Sequence, residues 1–273
     1  MRLIVSSNED IASRNILEKL LDFGWDEFGE WRGNPLYRRG DDRIATVNRH
    51  HIYADGIDKE LTEILGEIDH IVFISKHSSK AEIHSLTVHP IGNFGEAKFG
   101  GKDHELVPTV PHQMTTALLD LYEKAVHKDI LDEYEVSFEA THHGPYLQTP
   151  AYYVEIGSVK GCWEDDTAGE VIASTLMERK VSVKTYPKAL CIGGGHYAPK
   201  FTDIARRNDV YIGHIIPSWA LKDLDKKLFE IALEQSQADM VIMMDDIPKS
   251  LDLDIRDWCT DGDPEIFKVS DFE

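Results

Sequence analysis

The sequence predicts a three-layer α/β/α fold built on a mixed, mostly parallel central sheet. Three observations lead there. The apolar runs Ile71–Ile74 and Ala189–Ile192 do not alternate with polar residues, as expected of strands buried on both faces. Amphipathic helical stretches separate such runs, and the strand-then-helix order recurs along the chain. The 273 residues are 42% hydrophobic and 9% aromatic, which suits a folded core read here as a single domain over 1–273.

Residues 1–5 read as a first strand. Ser6 and Glu9 stand at capping-box spacing before a helical face of Ile11, Ile16, Leu17 and Leu20, and Gly24 is its stop. Residues 25–42 are mixed and charged without a clear period. Arg43–Val47 and His51–Ala54 read as short strands, and Asp58–Ile68 as a helix. Ile83–His89 resumes an alternating strand. The stretch from Gly92 to Pro111 is Gly-rich and aperiodic, a length of loop that is usually functional in a compact domain. Met114–Lys128 is a helix.

The chain is organised around Tyr134–Ser158. Tyr134, Val136, Phe138 and Ala140 alternate with Glu135, Ser137 and Glu139, the period of a half-buried strand. Pro150 opens a second strand, Ala151–Gly157, and the two are expected to form a hairpin. Its turn carries His142 and His143, then Gly144-Pro145. Neighbouring side chains of an extended strand diverge, so both rings aim inward only if the turn begins between them. Thr167–Glu170 is a capping box for a helix over Val171–Arg179. A short helix covers Thr202–Arg207, a strand Val210–Ile216, and a long helix starts at Pro217-Ser218 with Leu221, Leu224, Leu228 and Ile231 as its stripe. Met240–Met244 is a last strand, and the acidic tail beyond Asp245 has little pattern.

The formal charge of −20 argues against general affinity for nucleic acid or anionic membrane, while leaving room for a local basic surface. No secretory or membrane-spanning stretch is visible, and Cys162, Cys191 and Cys259 stand apart with no CxxC. A reducing, cytoplasmic setting is expected, without a thiolate zinc site.

Unusual residues gather at strand ends: Lys76, His77 and Ser78 after one, His142 and His143 after another, His196 and Tyr197 after a third, His214 near a fourth. Parallel strands would bring those ends to one edge. The hydrolase signatures GxSxG and HExxH are absent, and the glycines of 95–102 miss phosphate-loop spacing. Gly193–Ala198 fits G-x-G-x-x-A, yet Pro199 follows and the acidic ribose partner is missing. Gly194 and Gly195 read instead as letting backbone N–H groups approach an oxyanion or phosphate. Two chemistries stay open. A zinc ion on His142, His196 and His214, completed by Glu155, would activate a water; without metal, one histidine serves as general base. Ser78 and Ser79 are either turn caps or catalytic groups.

Four motifs in order, FISKHSSKAEIHSLTVHPIGNFG, THHGP, GGGHYAPKFTD and GHIIP, closely resemble the archaeal and plant type of D-aminoacyl-tRNA deacylase over nearly the whole chain. The resemblance implies hydrolysis of the ester joining a D-amino acid to tRNA, with zinc as cofactor, in a monomer whose fold is related to peptidyl-tRNA hydrolases and nucleoside phosphorylases. It places Lys76, His77, Ser78 and Ser79 in the first motif, His142 and His143 in the second, His196 and Tyr197 in the third and His214 in the fourth. Lys76, Lys80, Lys98, Lys102 and Lys200 are then candidates for contact with acceptor-stem phosphates, and Phe94, Phe99 or Tyr197 for stacking on the terminal adenosine. The alternatives are a metal-dependent hydrolase or phosphorylase of small nucleoside or peptide substrates, and a non-catalytic RNA- or metal-binding protein.

Overall fold

In the computed structural model, which describes residues 1–178, 184–259 and 263–273, the first strand Arg2–Ser7 (β1) is buried along its whole length. Parallel partners flank it: Asp42–Val47 (β4) on one side and His70–Lys76 (β5) on the other. Beyond β4 lie the antiparallel Asn34–Arg39 (β3) and Asp26–Trp31 (β2), a pair of strands in the stretch that showed no clear period. Beyond β5 comes the parallel Ala151–Gly157 (β8), then the antiparallel Ser85–Pro90 (β6), then Glu135–Phe138 (β7) parallel to β6. A second, all-parallel sheet is ordered Tyr211–Ile216 (β10), Lys188–Ile192 (β9), Met240–Met243 (β11) and Glu265–Lys268 (β12).

Eight helices cover these sheets: Ile11–Leu21 (α1), Ile57–Leu65 (α2), Pro111–His127 (α3), Lys160–Trp163 (α4), Asp166–Met177 (α5), Pro199–Arg207 (α6), Lys226–Ser236 (α7) and Lys249–Trp258 (α8), counted among the described residues. The period-two alternation of each strand decides what meets what. Ile4, Val72 and Val154 point to the face under α1, α3 and α5, where they join Ile16, Leu118 and Ile172 in one core. Leu3, Val5, Phe73 and Tyr153 point the other way, onto Ile57 and Leu61 of α2. Both faces are covered, which is why β1, β5 and β8 read as apolar runs. The second sheet buries Leu190, Ile192, Val241 and Met243 against Leu228 and Phe229 of α7 and Ile255 of α8.

Several expectations need correction. The strands around His142 and His143 do not pair as a hairpin, because β6 inserts between β7 and β8. Residues 51–53 form a 3-10 turn rather than a strand. Helix α1 is capped by Asp10, whose carboxylate accepts from the Ser13 N–H; α5 is capped by Asp165. Arg179 at the end of the helix expected from Val171 lies outside the described residues. The long helix after Pro217 is two pieces, a 3-10 segment Ser218–Asp223 and then α7, because Asp225 caps a fresh start by accepting from Leu228 N–H. The acidic tail holds α8 and β12, whose apolar residues are too few to show in a charged background.

The Gly-rich loop is tied down at both ends of its course. Gly92 N–H donates to the His143 carbonyl, Gly144 N–H to the Phe99 carbonyl, and Asn93 Nδ2 to the Gly100 carbonyl. Gly100 sits at φ +74°, and a Cβ there would run into the Ile52 carbonyl. Gly100→Ala is therefore expected to cost at least about 2 kcal/mol, as left-handed strain and a backbone clash add; urea unfolding against wild type measures it.

Candidate functional site

Register brings the site together on one face. Ser75 pairs with Glu155 and Thr87 with Glu155; Tyr153 pairs with both Phe73 and His89; Ser137 pairs with Thr87. Side chains in register share a face, so His89 and Glu155 project together on the α2 side of the sheet, with Glu139 two residues beyond Ser137. His77 follows the end of β5, its N–H donated to the Ile156 carbonyl. The second sheet adds His196: after the turn at Gly193 and Gly194 (φ +105° and +83°), residues 196–198 run antiparallel to 138–140. Ala140 N–H donates to the His196 carbonyl and Ala198 N–H to that of Phe138.

Glu139 stands at the centre and is wholly buried. Its Oε2 lies 2.9 Å from His196 Nε2, 3.2 Å from His77 Nδ1 and 3.6 Å from His142 Nε2. Neither Glu139 oxygen is in hydrogen-bonding geometry with any group among the described residues. Glu155 forms a second centre, its Oε2 3.5 Å from His89 Nε2 and 3.7 Å from His77 Nδ1. The ring orientations follow from backbone carbonyls. Nδ1 of His142 contacts Ala140 O at 2.7 Å, Nδ1 of His143 contacts Gly144 O at 2.7 Å, and Nδ1 of His89 contacts Pro90 O at 3.0 Å. A carbonyl only accepts, so each Nδ1 carries the proton and donates. In the neutral rings Nε2 then holds a lone pair.

Burial and charge sort the protons. Burial pulls the His77 pKa down, but Glu139 and Glu155 outweigh it and raise it to about 10. Burial and the neighbouring His143 and His89 push His142 well below its ordinary value; burial and His89 lower His143 to about 4. Burial would raise both carboxyls, yet His196 and His77 hold Glu139 well below its ordinary value, and His77 and His89 hold Glu155 at about 2. Two carboxylates and two bare imidazole nitrogens thus face one small space.

That donor set fits a metal ion. One ligand atom from each of His77, Glu139, His142 and His196 lies within 4.8 Å of the others; so do those of His89, His142 and His143, and those of His89, Glu139 and Glu155. Imidazole with carboxylate suits zinc, and the unengaged buried carboxylate is the group a cation would satisfy. Two cavities open from the His142–His143 turn, of about 490 Å³ and about 620 Å³.

A family model for D-aminoacyl-tRNA deacylase matches residues 65–261. The chain belongs to that family. It is 41% identical over 242 residues to the D-aminoacyl-tRNA deacylase of Pyrococcus furiosus, covering 86% of this chain and 87% of that one. It is 35% identical over 266 residues to that of Picrophilus torridus, covering 95% and 98%. The crystal structure of a conserved protein of unknown function, AF0625, superposes with a TM-score of 0.93 at 31% identity, covering 100% of this chain and 96% of that one.

In this member of the deacylase family, the expected site residues separate into groups. His77, His142, His143, His196 and Glu155 come together, joined by Lys76 and Ser78 on the wall of the smaller cavity. The turn does begin at His143 (φ +47°), so both rings stay at the site, with centroids 4.3 Å apart. Tyr197 packs edge-on against His77 at 5.5 Å and lines neither cavity. Lys98 lies on the larger cavity, paired at 3.8 Å with Glu96, whereas Lys102 sits over the Tyr146 ring, Lys200 pairs with Glu273, and Lys80 is exposed outside both cavities. Ser79 Oγ accepts from Ala81 N–H, the turn-cap role. Gly194 and Gly195 line neither cavity; their turn aims His196. Phe94 lines the larger cavity but is nearly buried, whereas Phe99 is exposed.

The structure removes His214 from the ligand set. Its Nδ1 lies 3.0 Å from Thr141 Oγ1 and its Nε2 3.0 Å from the Val107 carbonyl, so both ring nitrogens are engaged. Thr141 Oγ1 accepts from Ile215 N–H and donates to Nδ1, while Nε2–H donates to Val107, a consistent neutral tautomer. Two site residues escaped the sequence reading. Glu139 was assigned to a solvent face by alternation, and His89 read as an ordinary strand end. A charged residue on a strand of a sheet covered on both sides is the signal that would have flagged Glu139.

Burial lowers the His214 pKa to about 3. The unfolded ring binds a proton below about 6.5 and the folded one does not until about 3, so in that window the unfolded state holds more protons. Stability is then full above the ordinary histidine range and falls as pH drops toward 3, by up to about 1.4 kcal/mol per pH unit. Urea midpoints between pH 7 and 4 should therefore fall less steeply in His214→Asn than in wild type.

Proposed function

We propose that the reaction takes place at Glu139, with a zinc ion held by Glu139, His142, His196 and His77, the last releasing its proton as the cation takes the place of that charge beside the carboxylates. The activity is that of the family, hydrolysis of the ester bond joining a D-amino acid to tRNA. The observation that carries the assignment is the buried carboxylate whose oxygens make no hydrogen bond and face three imidazole nitrogens at 2.9–3.6 Å. This ligand set replaces the one expected from sequence: Glu155 moves to a supporting role and His214 leaves. A bound zinc supplies a water acidified toward neutrality and a Lewis acid for the ester carbonyl.

The chain's own groups do the rest. Ala140 and Pro90 carbonyls fix the rings of His142 and His89, and Glu155 holds His77 and His89 in place from behind. His143 Nε2, unprotonated near pH 7, accepts a hydrogen bond from the attacking water. Water oxygen adds to the carbonyl carbon, the carbon–oxygen bond to the ribose breaks, and the ribose oxygen takes up a proton. The products are the D-amino acid and a free tRNA 3′ end, which returns mischarged tRNA to use. Lys76 and Ser78 serve the substrate on the smaller cavity and Lys98 on the larger, and the exposed Lys80 serves phosphates outside both. No helix among the described residues is long and apolar enough to cross a membrane, and a tRNA substrate supports a cytoplasmic location; the monomer rests on the family resemblance alone.

Purified protein is expected to release D-tyrosine from D-tyrosyl-tRNA, to spare L-tyrosyl-tRNA, and to lose the activity to a chelator and regain it with zinc. Glu139→Gln should lower kcat/KM about 100-fold or more and reduce the zinc found by elemental analysis. D-specific release that ignores the chelator, from protein without zinc, replaces the metal by a histidine base.

A further inference from the structure

The two cavities share His142, His143 and Phe99 and are otherwise lined by different residues. The smaller is lined by His77, Glu155 and His196 and by the polar Asp10, Ser75, Lys76 and Ser78, and Ile52, Phe99 and His51 supply its apolar part. The His51 ring is itself packed edge-on against Phe73 and Tyr153, so this part of the wall is rigid as well as largely apolar. The larger cavity leads past Trp219, whose ring is 50% exposed and stacked on His196 at 6.1 Å with planes 20° apart. Its lysines do not make it a cationic funnel, because Lys98 stands beside Glu96 and Lys222 beside Asp223.

An aminoacyl ester has two unlike arms leaving one carbonyl: an amino-acid side chain, and a ribose with its base. With the carbonyl beside His142, the arms must leave in different directions, and the two cavities that share His142 are lined differently beyond it. We propose that they divide the substrate: the smaller takes the side chain of the D-amino acid, and the larger takes the terminal unpaired nucleotide, its base stacked on Trp219. This assignment rests on the hydrolytic reading of the site given above. The chemistry on each side supports the direction. A rigid wall of Ile52 and ring faces selects by size and apolar contact. A half-exposed indole beside the reacting group is a stacking platform, and stacking needs no net positive charge, which suits a chain of −20.

Kinetics on two substrates, D-tyrosyl-tRNA and D-alanyl-tRNA, separate the arms. Ile52→Trp narrows the smaller cavity and should raise the D-Ala to D-Tyr ratio of kcat/KM about tenfold or more. Ile52→Ala should move the same ratio in the opposite direction, and it decides the matter if the larger substitution perturbs folding, which circular dichroism reports. Trp219→Ala should raise KM about tenfold for both substrates and leave their ratio unmoved. A ratio that ignores both Ile52 variants overturns the assignment, and one that follows Trp219 instead means the substrate lies the other way round. Wild-type protein that hydrolyses neither substrate strikes the hydrolytic reading itself, a result distinct from either.

Discussion

A carboxylate with no exposure to water is the constraint on which the rest of this structure depends. Removing an ionised carboxylate from water costs several kcal/mol unless opposite charge or donors surround it. Glu139 carries that cost at 0% exposure, and Glu155 carries it again at 2%. The offset comes from imidazoles supplied by three places in the chain, the ends of β5, β6 and β9. Each of those elements must therefore be in register for the interior to be tolerable. A cation among the nitrogens would satisfy the carboxylates further, so folding and site assembly draw on the same contacts.

The direction of the strands explains how the histidines converge. In a fully parallel sheet, strand ends would share one edge. Here β6 and β7 run against β8, so their ends lie away from the end of β5. The groups meet over the face of the sheet, near the reversal, and alternation selects which of them arrive: Glu139, Glu155 and His89 share one parity of the pleat. The second sheet packs Ala189, Cys191 and Ile212 into the core on the other face, with Ile4, Val72 and Val154. Its contribution to the site is a short antiparallel crossing of residues 196–198 over 138–140, which carries His196 onto Glu139.

Charge is partitioned between surface and site. Most lysines expected to contact nucleic acid are held by local partners, such as Glu273 for Lys200 and the Tyr146 ring for Lys102. The acidic surface discourages unspecific adhesion to polyanions, so in the proposed arrangement recognition of an RNA end falls to shape and to aromatic faces near the histidine cluster. Phe99 and Trp219, among the exposed large apolar residues of the chain, stand on those cavity walls. Their exposure is hard to explain by packing and easy to explain by a ligand.

Much of this was legible in the sequence. Apolar runs located β5, β8 and β9, helical periodicity located α1, α3 and α6, and four ordered motifs identified the family. His77, His142, His143 and His196 stood out because histidines at several strand ends are hard to explain one by one. What the sequence could not determine is partnership. The insertion of β6 between β7 and β8 depends on packing over a long separation, and it undid the expected hairpin. Alternation reports which residues share a face, and only tertiary structure decides whether that face meets water. For Glu139 it meets His77, His142 and His196; for His214 it meets Thr141 and Val107, which leave its ring no free nitrogen. The sequence by itself determined the fold class and the family. The tertiary structure decided which carboxylate the site is built around, because only packing determines where a charged side chain is cut off from solvent.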